Sequence, residues 1–205
     1  MSSVGASSNL DLEAPPALTP VQQERRRRII DAAMELAAEG GYDAVQMREV
    51  AARAEVALGT LYRYFSSKER LLVAAMDEQV TNMRQRLAER PPDGSTPAER
   101  VIADLRQGTR WLQRRPNVTA AMLKSLIAGD GDVAEMMEPI SHQMTSIIVA
   151  AMGHEEPTDH DRAVAEVIQH VWLASLLWWV AGHAPAEHVD AVVNNAVNLL
   201  LGEED

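Results

Sequence analysis

From Val21 onward, apolar residues recur at intervals of three and four: Ile29, Ala33 and Leu36 form one set, and Met76, Val80, Met83 and Leu87 another. That period puts each set on one face of a helix. Alternation of period two, the mark of a strand, is convincing nowhere, so the chain is expected to be all-α. Breaks at Gly40-Gly41, Pro91-Pro92, Arg115-Pro116, Gly129 to Gly131, Gly153 to Pro157 and Ala184-Pro185 divide it into about nine helices. Residues 1 to 19, rich in Ser, Ala and Pro and without apolar periodicity, read as a disordered tail.

One stretch departs from the long-helix pattern. Residues 47 to 53 (Met47, Val50 and Ala51 inward) and 58 to 64 (Leu61, Tyr62 and Phe65 partly inward) are two very short helices joined by Ala54-Glu55-Val56. Flanked by a longer helix on each side, they have the spacing of a helix-turn-helix, whose second helix enters a major groove. The outward residues of that second helix are then Leu58, Gly59, Thr60, Arg63 and Tyr64. Small residues at Gly59 and Thr60 allow close approach, while Arg63 and the hydroxyls of Tyr62 and Tyr64 can meet phosphates or base edges.

Charge sharpens this reading. The 205 residues carry 19 Lys and Arg against 30 Asp and Glu, a formal charge of −11. Residues 20 to 75 hold nine of the bases against eight acids, whereas residues 76 to 205 hold ten against twenty. An acidic body repels a polyanion, so a nucleic-acid contact belongs to the first third. Arg25, Arg26, Arg27 and Arg28 stand just ahead of the first apolar helix, where positive charge opposes the helix dipole unless an anion such as phosphate compensates it.

Composition excludes several other classes. There is no cysteine, hence no disulfide framework, thiolate zinc site or thiol nucleophile, which suits a cytoplasmic protein. The longest apolar run, Val171 to Ala181, is well short of the roughly 18 to 20 residues of a membrane helix, and no signal peptide is evident, so no membrane partner is expected. The six histidines form no HExxH pair; His160, in Asp159-His160-Asp161, reads as a capped helix start rather than a metal ligand. No phosphate loop or nucleophile elbow appears, and neither a cofactor nor an enzymatic activity is expected.

The C-terminal body carries its own signals. Between residues 163 and 181, Val164, Val167, Ile168, Val171, Trp172, Leu173, Leu176, Leu177, Trp178 and Trp179 make a helix apolar on nearly all sides. Such a helix must be buried on all sides, either with one face inside its own chain and another against a partner or wholly within a thick monomer core. A helix at 187 to 201 repeats the pattern, with Val189, Val193, Ala196 and Leu200 on one face and Val192 and Leu199 on another. Two such helices per chain would build a four-helix interface in a homodimer. In the middle of the body, Trp111, Met122, Leu126, Met136, Met137, Met144, Trp172 and Leu176 form a set able to line a pocket for a bulky apolar ligand. The residues themselves leave open a ligand-controlled regulator, an all-helical enzyme acting on an apolar substrate, and a protein-binding adaptor.

A resemblance narrows the choice. Ile29-Ile30-Asp31-Ala32-Ala33, Gly40-Gly41-Tyr42, VQMREVAARAEVALGTLYRYFSSK from Val45 to Lys68, and Glu69 to Leu72 resemble the DNA-binding domain of the TetR family of bacterial regulators. The resemblance covers about residues 22 to 75. It implies a helix-turn-helix domain over 20–67 and a ligand-binding and dimerisation domain over 68–205. Carried over residue by residue, it makes Arg48 a base or phosphate contact, places Thr60, Tyr62 and Tyr64 on the recognition helix, and makes Lys68 a phosphate ligand.

Gln46 stands in this DNA-facing set where a capping hydroxyl is common, and Ala57 stands at the corresponding cap of the next helix. Glu55 replaces the usual turn glycine, a position that favours positive φ. VQMR and GTLYRYF, with the arginine-rich start, are most similar to the branch of the family that represses cholesterol catabolism. Val171-Trp172-Leu173-Ala174-Ser175-Leu176-Leu177 adds support. The implied partners are a double-stranded palindromic operator and a small apolar effector such as a steroid coenzyme A thioester. Repression of an efflux pump is the alternative within the family. Residues 76 to 90 are the expected transmitter between effector and DNA.

Overall fold

The computed structural model describes residues 18 to 202 apart from Pro92. The expected tail over residues 1 to 19 therefore lies outside the described residues, except for Leu18 and Thr19. Thr19 is the N-cap of the first helix, its side chain and that of Gln22 forming a reciprocal capping box ahead of Pro20. Among the described residues there are nine helices: α1 (Pro20–Ala44), α2 (Met47–Arg53), α3 (Leu58–Tyr64), α4 (Lys68–Glu89), α5 (Pro97–Gln113), α6 (Pro116–Ala128), α7 (Gly131–Met152), α8 (Asp159–Val180) and α9 (Ala186–Leu201).

Their starts are written locally. Thr96 with Glu99 and Thr158 with Asp161 form further capping boxes, Ser67 and Asp130 cap α4 and α7, and Pro97 and Pro116 open α5 and α6. Gly41, at φ 68°, interrupts α1 near its end, and Gly153, at φ 72°, closes α7 in the left-handed region that only glycine enters cheaply.

The apolar faces converge on two main cores. Ile29, Ala33, Leu36, Val50, Leu61, Phe65 and Leu71 join α1 to α4 into the N-terminal domain. Val101, Leu105, Ile148, Met152, Ala165, Ile168, Val193 and Val197 hold the C-terminal body together. Two helices belong to both. Helix α4 buries Leu71, Leu72, Ala74 and Ala75 in the first core and lays Met76, Val80, Met83 and Leu87 against the second. Helix α6 places Val118, Ala121 and Met122 in the first and Leu123 in the second.

Helix α8 corrects the reading of its apolar run. By length and composition, with a mean hydropathy of 1.4, Asp159–Val180 is long and apolar enough to cross a membrane, although Val171 to Ala181 alone is not. Here it packs between α7 and α9 and carries the hydrogen-bonded Gln169 inside the body, while Val167 and Trp178 on its other side stay exposed. The face assigned to α9 also shifts. Val189, Val193 and Val197 are buried at intervals of four, while Leu200 is exposed and Ala196 only half-buried.

Candidate DNA-binding surface and effector cavity

Helices α2 and α3 span 47–53 and 58–64, with Glu55 in the turn at φ 53°. For a residue with a Cβ this left-handed conformation costs on the order of 1 kcal/mol, yet it reverses the chain in the fewest residues. Neither Gln46 nor Ala57 makes a side-chain capping bond. In the first turn of α3 the Thr60 and Leu61 N–H groups instead both donate to the Ala57 carbonyl, at 2.8 and 3.1 Å.

On α3 the two tyrosines exchange their expected roles. Tyr62 is exposed, whereas Tyr64 and Leu58 are half-buried against the N-terminal core. Tyr64 follows Leu61 by three residues and so shares its inward face; Tyr62, one residue on, turns about 100° away. The face left to solvent carries Gly59, Tyr62 and Arg63, with Thr60 at its edge. Arg48 and Gln46 are exposed at the start of α2 beside it.

The arginine block does not precede the first helix: α1 begins at Pro20, so Arg25 to Arg28 lie in its second turn and beyond. The dipole fades over the first turn, which removes the expected conflict with four positive charges. The four then divide. Arg26 is structural, pairing with Glu78 of α4 at 2.6 Å and lying 5.6 Å above the Phe65 ring. Arg27 pairs with Glu24 at 3.0 Å. Arg25 and Arg28 make no ion pair among the described residues and flank a shallow groove with Pro20 and Val21.

Lys68 is engaged as well, its ammonium 3.8 Å from the centre of the Tyr42 ring. Burial and the neighbouring Glu69 carboxylate push the Tyr42 hydroxyl up to about 12, so it stays protonated and donates to Glu69. This cluster locks the first turn of α4 onto the end of α1.

The body encloses a cavity of about 700 Å³ bounded by α4, α5, α6, α7 and α8. Six of the eight lining residues expected from sequence meet there: Trp111, Met122, Met137, Met144, Trp172 and Leu176. Leu126 does not, because it turns toward Val73, Val133 and Ile140 in a small separate cluster, and Met136 lies in the same direction. The stripe Met76, Val80, Met83 and Leu87 forms the wall on the α4 side. Trp172 is fixed by donating its indole N–H to Thr109 at 2.9 Å.

The composition reading missed the rim. Arg86 and Arg90 from the end of α4, and Arg106, Arg110 and Arg114 along α5, also border the cavity, with Asp93 as an acid among them. None of the five has an ion-pair partner among the described residues. Four of them are exposed, whereas Met122, Met144, Trp172 and Leu176 are buried. The cavity is thus apolar inside and cationic at its mouth. The signal was present in the sequence as arginines at intervals of four on each helix, a spacing that puts them on one face.

A route joins cavity and DNA-binding surface. Helix α6, whose Thr119, Met122 and Leu123 line the cavity, packs along α1, where Asn117 donates to the Ala38 carbonyl at 3.1 Å and Lys124 meets Asp43 at 3.4 Å. Helix α4 leads from the same cavity to Lys68. Two helices, α4 and α6, therefore border both the cavity and the N-terminal domain, of which the sequence suggested only α4.

Residues 29–75 match the family described as bacterial regulatory proteins, tetR family, and residues 94–200 match the tetracyclin repressor-like C-terminal domain. The chain is 37% identical over 218 aligned residues to the HTH-type transcriptional repressor KstR of Mycobacterium tuberculosis, covering 100% of this chain and 99% of that protein. A TetR transcriptional regulator from Rhodococcus sp. RHA1 superposes with a TM-score of 0.79 at 32% identity, over 89% of this chain and 99% of that one. The Bacillus subtilis regulator FadR, in complex with stearoyl-CoA, shares the fold with a TM-score of 0.62 at 24% identity, over 87% and 99% of the two chains. With its helix-turn-helix on one side and the ligand-sized cavity of its body on the other, the chain belongs to the TetR family of DNA-binding transcriptional regulators.

Proposed function

We propose that this regulator represses genes of sterol or lipid catabolism by binding a palindromic operator as a homodimer, and that a bulky apolar effector with an anionic head, such as a steroid coenzyme A thioester, releases it. The observation that carries the reading is the cavity itself, apolar within and edged by five unpaired arginines. An apolar body would be desolvated inside, while the phosphates of a coenzyme A head would meet the arginine guanidiniums at the mouth. The complex of FadR with stearoyl-CoA supports the reading, since it joins a related fold to a ligand of this chemistry. Likeness to KstR supports the repressor role.

Dimerisation is supported by the surface. Val167 and Trp178 on α8 and Leu199 on α9 are 49%, 59% and 86% exposed in the single chain, which leaves a contiguous pair of helices with apolar residues facing water. Two copies joined there would present two α3 helices to half-sites about one helical turn apart. The operator contacts would come from Arg48, Gly59, Thr60, Tyr62 and Arg63, with Arg25 and Arg28 beside the phosphates. Such a protein works on chromosomal DNA, hence in the cytoplasm.

An effector changes DNA affinity only through its differential affinity for the two arrangements of the dimer. It would displace α4 and α6, which both wall the cavity and hold the N-terminal domain. Direct titration tests the reading: a steroid coenzyme A thioester should bind at least tenfold more tightly than the free steroid acid or coenzyme A alone. Arg110→Glu with Arg114→Glu should erase that advantage. Release of operator by a small polar metabolite, with no response to saturating thioester, would contradict the effector class.

A further inference from the structure

The inner wall of the cavity is not wholly apolar. Gln169 of α8 is buried, and its side-chain amide joins two hydroxyls of α7: Thr145 donates to its Oε1 at 2.9 Å, and its Nε2 donates to Ser141 Oγ at 2.6 Å. Ser141 and Gln169 both line the cavity. The run of donors thus goes from Thr145 through Gln169 to Ser141, and there it stops, because the Ser141 hydroxyl hydrogen has no acceptor among the described residues. Elsewhere the helix hydroxyls of Ser125, Ser146 and Ser175 donate to carbonyls of their own helices. A hydroxyl that accepts from an amide is a better donor than an isolated one, and the half-buried Ser141 presents that free donor to the cavity.

We propose that Ser141, oriented by Gln169, is a specificity-determining residue that donates a hydrogen bond to an acceptor oxygen, a ketone or its equivalent, at the inner end of the effector. This rests on the reading of the cavity as the site of an amphipathic thioester, and deepens it: the ligand would carry phosphates at the exposed arginine mouth, an apolar body against Met144 and Trp172, and a second polar atom at the buried end. Thr145 and Gln169 would act as positioning residues. Held at both ends, the amide keeps one orientation, with one N–H of its Nε2 committed to Ser141.

The test uses the full-length protein and three coenzyme A thioesters of one steroid acid, which differ only at the ring position farthest from the thioester: ketone, hydroxyl or methylene. Calorimetric titration should show the ketone binding about tenfold more tightly than the methylene compound, and more tightly than the hydroxyl one. In Ser141→Ala the ketone and methylene compounds should bind alike, with methylene affinity and operator affinity unchanged. Ser141→Thr, which keeps the hydroxyl, should restore preference for the ketone. Equal binding of ketone and methylene compounds by the unaltered protein would overturn the inference while leaving the thioester reading intact. A preference for the hydroxyl would overturn it by reversing the donor order, and failure of all three to bind would overturn both.

Discussion

The N-terminal domain and the body arrange their functional groups in opposite ways. In the first, most of the residues proposed to meet DNA stand on or beside two adjacent seven-residue helices, α2 and α3, and project from a filled core. In the second, the candidate site is a cavity whose walls come from five consecutive helices, over residues 76 to 176. A projecting surface depends on a few side chains and on the rigidity behind them; a cavity depends on what its neighbours leave vacant. Substitutions should therefore act sharply and locally in the first region, and through packing and electrostatics in the second.

The largest effect is expected where the body meets its copy. Trp178→Glu with Leu199→Glu sets charges on both exposed apolar helices and should yield a monomer by analytical ultracentrifugation, with operator affinity reduced by a hundredfold or more, since one half-site gives only part of the contacts. A double variant that remains dimeric would move the interface elsewhere. Next in size, Arg48→Ala should weaken operator binding by roughly ten- to a hundredfold and relax base preference at one position, read by competition with single-base operator variants. Lys68→Ala should weaken all sequences alike and also lower stability, because the same ammonium rests on Tyr42.

The body also carries a pH effect of its own. Asp104 of α5 is buried with one carboxylate oxygen unpartnered, and burial pushes its carboxyl up from 3.8 to about 7. The folded state thus holds a proton that the unfolded state loses near pH 4. Asp104's contribution to stability is intact below that pH and declines as pH rises toward 7. Asp104→Asn should be more stable than the unaltered protein at pH 8, by on the order of 1–2 kcal/mol, with the gap closing toward pH 4 in urea melts. A gap independent of pH would show that the carboxyl does not titrate there.

The smallest effect tests the turn: Glu55→Gly relieves the positive φ and should stabilise the N-terminal domain by about 0.5–1 kcal/mol without altering operator sequence preference.

These two regions also differ in how far they could be read from sequence. The bounds of α2 and α3 follow from local spacing, because a short helix shows its period within one motif, whereas the positive φ at Glu55 follows only from the resemblance, which has a glycine there. Which tyrosine faced outward did not follow, since in a seven-residue helix a rotation of one position exchanges Tyr62 with Tyr64. The apolar lining was partly legible as Met and Trp residues in the body, but Leu126 was not separable from the rest: its helix α6 faces two clusters, and only the packing of α7 decides between them. Nor does any periodicity announce that Ser141 and Gln169, from different helices, meet at one wall. The same limit applied to α9, where Val197 rather than Leu200 completes the buried row once α5 and α8 fix the rotation of the helix.

The central claim, that occupation of the arginine-edged cavity dissociates the dimer from DNA, is tested most directly by fluorescence anisotropy of a labelled palindromic duplex titrated with a steroid coenzyme A thioester. The account predicts complete, saturable release, with the midpoint shifted at least tenfold higher in Arg110→Glu with Arg114→Glu. Unchanged anisotropy at thioester concentrations that calorimetry shows to be saturating would contradict it.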